Sequence, residues 1–182
     1  MRSIWGDSAA GAGLVRYCPI CDGYEAIDRK IAVFGKVEDA TPKASFLRTY
    51  SSDVTILPTD GTIQPHSRKS LDGAGIVIEE PPVRFQLRGN RVAAQSRTGE
   101  WWEFDVLYPA LGCKVNSALV RNLGVRCNST GCVVVDENQK TSIFGIYAAG
   151  DVVSDLHQIA VGAAHACIAA SAIHHGLGKN YR

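Results

Sequence analysis

Cys18 and Cys21 stand two residues apart in the run CPICDG. That spacing lets two sulfurs close a small strained ring that is readily reduced and re-formed, the property disulfide oxidoreductases use. Asp22, next to Cys21, could carry a proton to or from a thiolate as it leaves or forms. The same thiols would also serve as half of a zinc site, with Cys127 and Cys132 as the other half, or could be buried thiols without chemistry.

A second constellation is Gly35-Lys36-Val37-Glu38-Asp39-Ala40, directly after the apolar run Lys30-Ile31-Ala32-Val33-Phe34. A dinucleotide-binding turn wants Gly-x-Gly-x-x-Gly/Ala, and Gly35 and Ala40 match its first and last positions. Val37 replaces the middle glycine, where a branched side chain should crowd a pyrophosphate. Glu38 and Asp39 put negative charge where a helix N-terminus would receive phosphate. Asp60 is a loose candidate for the ribose-binding acid, and no Arg or Lys follows the second strand to grip a 2′-phosphate.

The third is Gly145-Ile146-Tyr147-Ala148-Ala149-Gly150-Asp151. An apolar strand ending in Gly-Asp puts a carboxylate at the carboxyl end of a buried sheet, where α/β folds bind ligands. Gly150 would let a ligand chain pass close, and Asp151 would accept from its hydroxyls. An ordinary strand-to-turn junction has the same sequence. The helix beginning near His157-Gln158-Ile159 offers free N–H groups suited to an electron-rich ring edge. His165, His174 and His175 read as packing or surface residues, and Trp101-Trp102 as one core and one exposed ring.

The elements that carry these residues follow from the pattern. Residues 1–15, rich in Gly, Ala and Ser, read as a flexible lead-in. Residues 30–35 predict a buried strand, and 38–50 a helix burying Ala40, Ala44, Phe46 and Leu47. Pro42 is tolerable in the first turn, which sets that helix start at about 39–41. Residues 53–57 predict a second strand, parallel to the first in a βαβ unit. A brief helix at 67–71 and a third strand at 76–79 follow. Residues 84–88, 91–94 and 101–108 predict a three-stranded antiparallel meander. Residues 115–123 read as a short helix, 132–136 and 146–151 as strands. A long helix capped by Ser154 or Asp155 runs to about His175, with Gly176 and Gly178 ending it.

Composition sets the outer limits. The chain has 182 residues, 46% hydrophobic and 20% charged, so it can bury a core and is not disordered. A net charge of +1 with no basic stripe argues against nucleic-acid or membrane-surface binding. No apolar run approaches the roughly 18 residues that span a bilayer, and the opening MRSIWGDSAAGAGLV does not read as a signal peptide. Six Cys are too few for a disulfide scaffold. A cytoplasmic setting is expected, where a close Cys pair is more often catalytic or metal-binding than structural.

Together, CPICDGYE, KIAVFG and GIYAAGDVVSDLHQIA resemble the bacterial thioredoxin-reductase-like flavoproteins, over residues 16–178. The resemblance implies an α/β protein. Its parts are a lead-in with the CxxC motif (1–25), a Rossmann-like three-layer NAD(P)H-binding domain with an antiparallel meander (26–108), and the carboxyl-terminal part of an FAD-binding domain (109–182). It further implies that Cys18 and Cys21 are the redox pair and Asp22 its acid, with Cys21 facing the flavin and Cys18 attacking the partner's disulfide. Gly150 and Asp151 fall on the flavin ribityl pair, and Gln158 with Ile159 near the isoalloxazine ring. Hydride would pass from NAD(P)H to FAD to the disulfide, and on to a thioredoxin-like protein or a small disulfide.

The sequence departs from the family in three places. The first half of the FAD domain has no counterpart before Cys18, the nucleotide turn has Val37, and Pro58-Thr59-Asp60 replaces the basic cluster for a 2′-phosphate. Association as a homodimer, or with a chain supplying the other half, is therefore expected. Two further readings stand beside the reductase: a non-catalytic remnant with weak nucleotide binding or an assembly role, and a dithiol oxidase independent of NAD(P)H.

Overall fold

Helix α1 (Asp7–Gly11) opens the computed structural model, which describes residues 7–153 and 156–179. Ala9, Leu14 and Val15 are buried, and Val15 bridges in parallel to Leu107. The expected flexible lead-in is thus part of the core from Ala9 onward. Its few apolar side chains outweigh the Gly and Ser around them. The chain divides into two compact units, residues 1–112 and 113–182.

The first unit continues through α2 (Pro19–Asp22), β1 (Ile31–Gly35), α3 (Val37–Leu47), β2 (Val54–Pro58), α4 (Pro65–Gly73) and β3 (Val77–Ile78). It ends with β4 (Arg84–Arg88), β5 (Arg91–Gln95), β6 (Trp101–Phe104) and β7 (Val106–Ala110). A parallel sheet has the order β3-β2-β1-β7, with Ile31 opposite both Val54 and Val106. A separate antiparallel sheet has the order β4-β5-β6.

Because strand side chains alternate, β1 serves two cores. Ile31 and Val33 pack with Val37, Ala40, Ala44 and Leu47 of α3. Ala32 and Phe34 join Val92, Ala94 and Phe104 of the meander. Helices, parallel sheet and meander therefore form three layers. The α/β class, the βαβ unit and the meander all match the sequence-based expectation.

Two boundaries moved. Helix α3 starts at Val37, which places Pro42 in its second turn. Pro42 lies on the exposed face, so the Glu38 carbonyl it leaves unpaired can meet water. The buried stripe Val37, Ala40, Ala44, Leu47 sets the helix start, while Phe46, expected inside, is exposed with its ring against Tyr50. The predicted strand 101–108 breaks at Asp105. Its carboxylate accepts the Lys30 N–H at 2.9 Å and its own N–H donates to the Lys30 carbonyl at 2.9 Å. The chain thereby passes from the meander into the parallel sheet. Trp101 stacks under Arg88 at 4.0 Å, and Trp102 packs on the core; both rings are half-buried.

The second unit contains α5 (Ala118–Asn122) and α6 (Ile159–Gly176). The strands expected at 132–136 and 146–151 are not formed. Isolated bridges Cys127–Val133 and Lys140–Tyr147 stand in their place. Backbone bonds from these runs go singly to other loop residues, such as Val133 N–H to the Val152 carbonyl and Ala148 N–H to Gln139. Helix α6 begins after Gln158; Ser154 and Asp155, its expected caps, lie outside the described residues. Over 18 residues its mean hydropathy is 1.2 and 6% of it is buried, so by length and composition it is apolar enough to cross a membrane. The absence of any unbroken apolar run concealed this, because Ala, Gly and His dilute the pattern while no charged side chain interrupts it.

Candidate active site

Cys18 occupies the N-cap of α2, and Pro19 fills the first helical position with its φ already set. The Cys21 and Asp22 N–H groups both donate to the Cys18 carbonyl, at 3.0 and 3.2 Å. This single helical turn brings the two Cα atoms to 5.3 Å, and the sulfurs are joined as a disulfide. Cys21 is exposed and Cys18 half-buried. The bond is therefore open to attack by a thiolate or an electron carrier.

Four side chains bolt this turn to the first unit. Arg16 donates through Nη1 to the Asp22 carbonyl at 3.0 Å and pairs with Glu25 at 3.0 Å. Lys43 of α3 donates to the Pro109 carbonyl at 2.7 Å and to the Tyr17 carbonyl at 3.3 Å. Burial lowers the Lys43 pKa from its ordinary value. Gly23 packs against the Tyr50 ring, which a β-carbon there would meet at 3.0 Å. The phenol of Tyr108, fully buried on β7, donates to Asp22 Oδ1 at 2.8 Å. Burial first, then the bond to Asp22 and its negative charge, raise the Tyr108 pKa well above the ordinary phenol value.

Cys18, Cys21 and Asp22 thus share one helical turn, with Cys18 and Cys21 joined as a disulfide. Tyr108, Arg16 and Lys43 were not anticipated. Tyr108 carried a signal: a phenol within the buried run Val106–Ala110 must find a partner for its O–H.

The dinucleotide-type turn is arranged differently from expectation. Gly35, at the end of β1, is packed against Ala110 of β7, where a β-carbon would overlap the carbonyl oxygen. Val37 and Ala40 are both fully buried in the core under α3. Val37 therefore does not project over the helix N-terminus, and the expected crowding of a pyrophosphate by its side chain does not arise. Lys36, Glu38 and Asp39 are the exposed side chains there. Asp60 is exposed too, and its Oδ1 accepts the Thr62 N–H at 3.0 Å.

In the second unit Gly150 opens a 3-10 turn, Gly150–Val152, with φ +80°. Its N–H donates to His165 Nδ1 of α6 at 3.4 Å, a role not assigned to that histidine from sequence. Asp151 is exposed on this turn, Gln158 is the half-buried N-cap of α6, and Ile159 is 95% exposed. The first turn of α6 leaves its N–H groups open.

The pyridine nucleotide-disulphide oxidoreductase family matches residues 11–169. The chain belongs to this family. Among its curated members, the thioredoxin reductase of Bacillus subtilis is 26% identical, the match covering 93% of this chain and 57% of that protein. The ferredoxin–NADP reductase of Lactobacillus helveticus is 32% identical over 74% of this chain and 46% of its own length. Among solved structures, the thioredoxin reductase of Streptococcus pyogenes superposes with a TM-score of 0.77 at 24% identity, covering 90% of this chain and 57% of that one. The chain spans about half the length of these relatives, between 46% and 57%, and its resemblance to thioredoxin-reductase-like proteins is borne out.

Proposed function

We propose that this chain is the disulfide-bearing part of a thioredoxin-reductase-type oxidoreductase, moving electrons between NAD(P)H, FAD and the Cys18–Cys21 couple. The accessible disulfide, with Asp22 next to Cys21 in the chain and its carboxyl held by Tyr108, carries the reading. On reduction one sulfur leaves as a thiolate and Asp22 supplies its proton; on reoxidation the carboxylate takes that proton back. Cys18 would attack the disulfide of a thioredoxin-like protein or a small molecule, and Cys21 would face the electron carrier. A cytoplasmic setting, whose thiol pool would turn the couple over, belongs to this reading.

FAD, when bound, supplies the two-electron relay. The residues of the second unit fit it. The exposed Asp151 carboxylate would accept from ribityl hydroxyls, the positive φ of Gly150 lets the chain pass close, and Gln158 with the first turn of α6 from Ile159 onward would face the ring edge. The exposed Phe144, Ile159 and Leu177 of this unit, and a groove of about 1140 Å³ lined partly by Phe144, Cys167 and Leu177, call for cover by a second copy or by a chain completing the flavin domain.

The fit to NADPH is poor. Glu38, Asp39 and Asp60 are exposed at the carboxyl end of β1 and β2 and would repel a 2′-phosphate. Those carboxylates favour NADH, and they give weight to a dithiol oxidase that draws electrons from a small dithiol instead.

Titration of the chain with FAD, read by the flavin absorbance band and the mass of the complex, tests this proposal. Reduction by NADH, NADPH or dithiothreitol is then followed by thiol counting at Cys18 and Cys21. Retained flavin with thiols appearing on NADH addition supports the reductase, and a response to dithiol alone supports the oxidase. A colourless protein whose disulfide no donor reduces is the non-catalytic remnant.

A further inference from the structure

We propose that Tyr108 is a positioning residue that holds the Asp22 carboxyl ready for proton transfer at the Cys18–Cys21 bond; this rests on the redox reading of that pair. Tyr108 is fully buried, yet its hydroxyl leaves the core to donate to Asp22 Oδ1 at 2.8 Å. Phenylalanine would fill the same core space, so the hydroxyl is the part of the side chain that packing leaves without a task. Asp22 ends a helix of one turn, Pro19–Asp22, which by itself gives its side chain little restraint. Arg16 fixes its carbonyl at 3.0 Å and Tyr108 its carboxyl, so backbone and side chain are both held. With Oδ1 accepting from the phenol, Oδ2 is the oxygen left to carry a proton. Tyr108 keeps its own proton throughout, since burial and the neighbouring carboxylate both favour the neutral phenol.

The step balances with a small dithiol as reductant. One thiol gives its proton to the Asp22 carboxylate and attacks one sulfur, the Cys18–Cys21 bond breaks, and the bonding pair leaves on the other sulfur, which takes that proton from Asp22. The second thiol of the reductant gives its proton to the Asp22 carboxylate and attacks the mixed disulfide. The oxidised dithiol leaves as a ring. The last cysteine thiolate takes that second proton from Asp22, which returns to the carboxylate.

The test measures the rate at which dithiothreitol reduces Cys18–Cys21 in the full chain across the neutral pH range, with thiols counted by alkylation and mass. Tyr108→Phe should slow reduction on the order of tenfold, a part of the ~10²-fold or more that a positioned acid–base group contributes. Asp22→Asn should slow it further, and the double variant should be no slower than Asp22→Asn. Asp22→Glu, which leaves the core untouched, should fall between wild type and Asp22→Asn. A wild-type rate in Tyr108→Phe or Asp22→Glu, or losses that multiply in the double variant as a separate structural defect would, overturns the assignment. A wild-type disulfide that dithiothreitol does not reduce, or that Asp22→Asn leaves at full rate, overturns the redox reading and this inference with it.

Discussion

Gly35 of β1 lies so close to Ala110 of β7 that a β-carbon on it would overlap the Ala110 carbonyl oxygen. The obstacle is backbone of a paired strand, with Gly35 in register opposite Ala110, so it cannot swing aside like a flexible side chain. Gly35→Ala should therefore destabilise the first unit by about 1–3 kcal/mol, the usual cost of overpacking. Denaturant unfolding checks this, and an unchanged midpoint would show that the strands can part. The glycine has a packing reason to be there before any nucleotide is considered.

Val37 leads to a reversal of the same kind. Its side chain is fully buried with Ile31, Val33 and Ala40. Val37→Gly would remove a buried valine worth about 1.5–3 kcal/mol and place glycine in a helix at about 1 kcal/mol. The variant should lose about 2.5–4 kcal/mol of stability with no tighter binding of NADH. Paired unfolding and NADH-titration measurements decide it; tighter binding in a fully stable variant would restore the crowding argument.

The motif template assigns the position of Val37 to backbone approach, but direction around the helix is set by which residues must be buried. The stripe Val37, Ala40, Ala44, Leu47 was legible only in part, because Pro42 seemed to forbid a start before residue 39. The layers themselves were legible: apolar runs at 31–35 and 54–57, and alternation at 84–104, each have one reading. The change of sheet at Asp105 was not, since it depends on bonds to Lys30 from a distant part of the chain. Cys18 and Cys21 were legible by their spacing in the turn that holds the disulfide, with Asp22 beside Cys21 in the chain. Tyr108, Arg16 and Lys43 reach it only through tertiary packing, which no local pattern records. Strand character at 146–151 was read from apolarity, yet in the second unit no ladder forms along it.

Tyr108 should stand apart from the other tyrosines in a base titration. Its folded-state pKa lies above the ordinary 10.0, so the folded chain holds a proton that the unfolded chain gives up. The stability this contributes is fully present below about pH 10 and is lost as pH rises further. Tyrosinate absorbance of wild type and Tyr108→Phe should therefore coincide until base unfolds the protein, and wild type alone should gain one further tyrosinate on unfolding. A difference between the two curves while both remain folded would place Tyr108 in a wetter site than its burial indicates.

In the second unit two glycines face each other with opposite expected responses. Gly150 has φ +80°, a region that costs an L-residue roughly 1–2 kcal/mol, so Gly150→Ala should destabilise by about that amount. Gly162 is inside α6 with ordinary helical backbone, and an added β-carbon would sit 3.6 Å from the Gly150 Cα, an ordinary contact. Gly162→Ala should therefore gain up to about 1 kcal/mol from helix propensity. Thermal unfolding of the two variants, followed by helical circular dichroism, should show midpoints displaced in opposite directions. If Gly162→Ala also falls, the approach of α6 to the Gly150 turn is tighter than 3.6 Å implies, and both glycines serve one close contact that holds Asp151 in place.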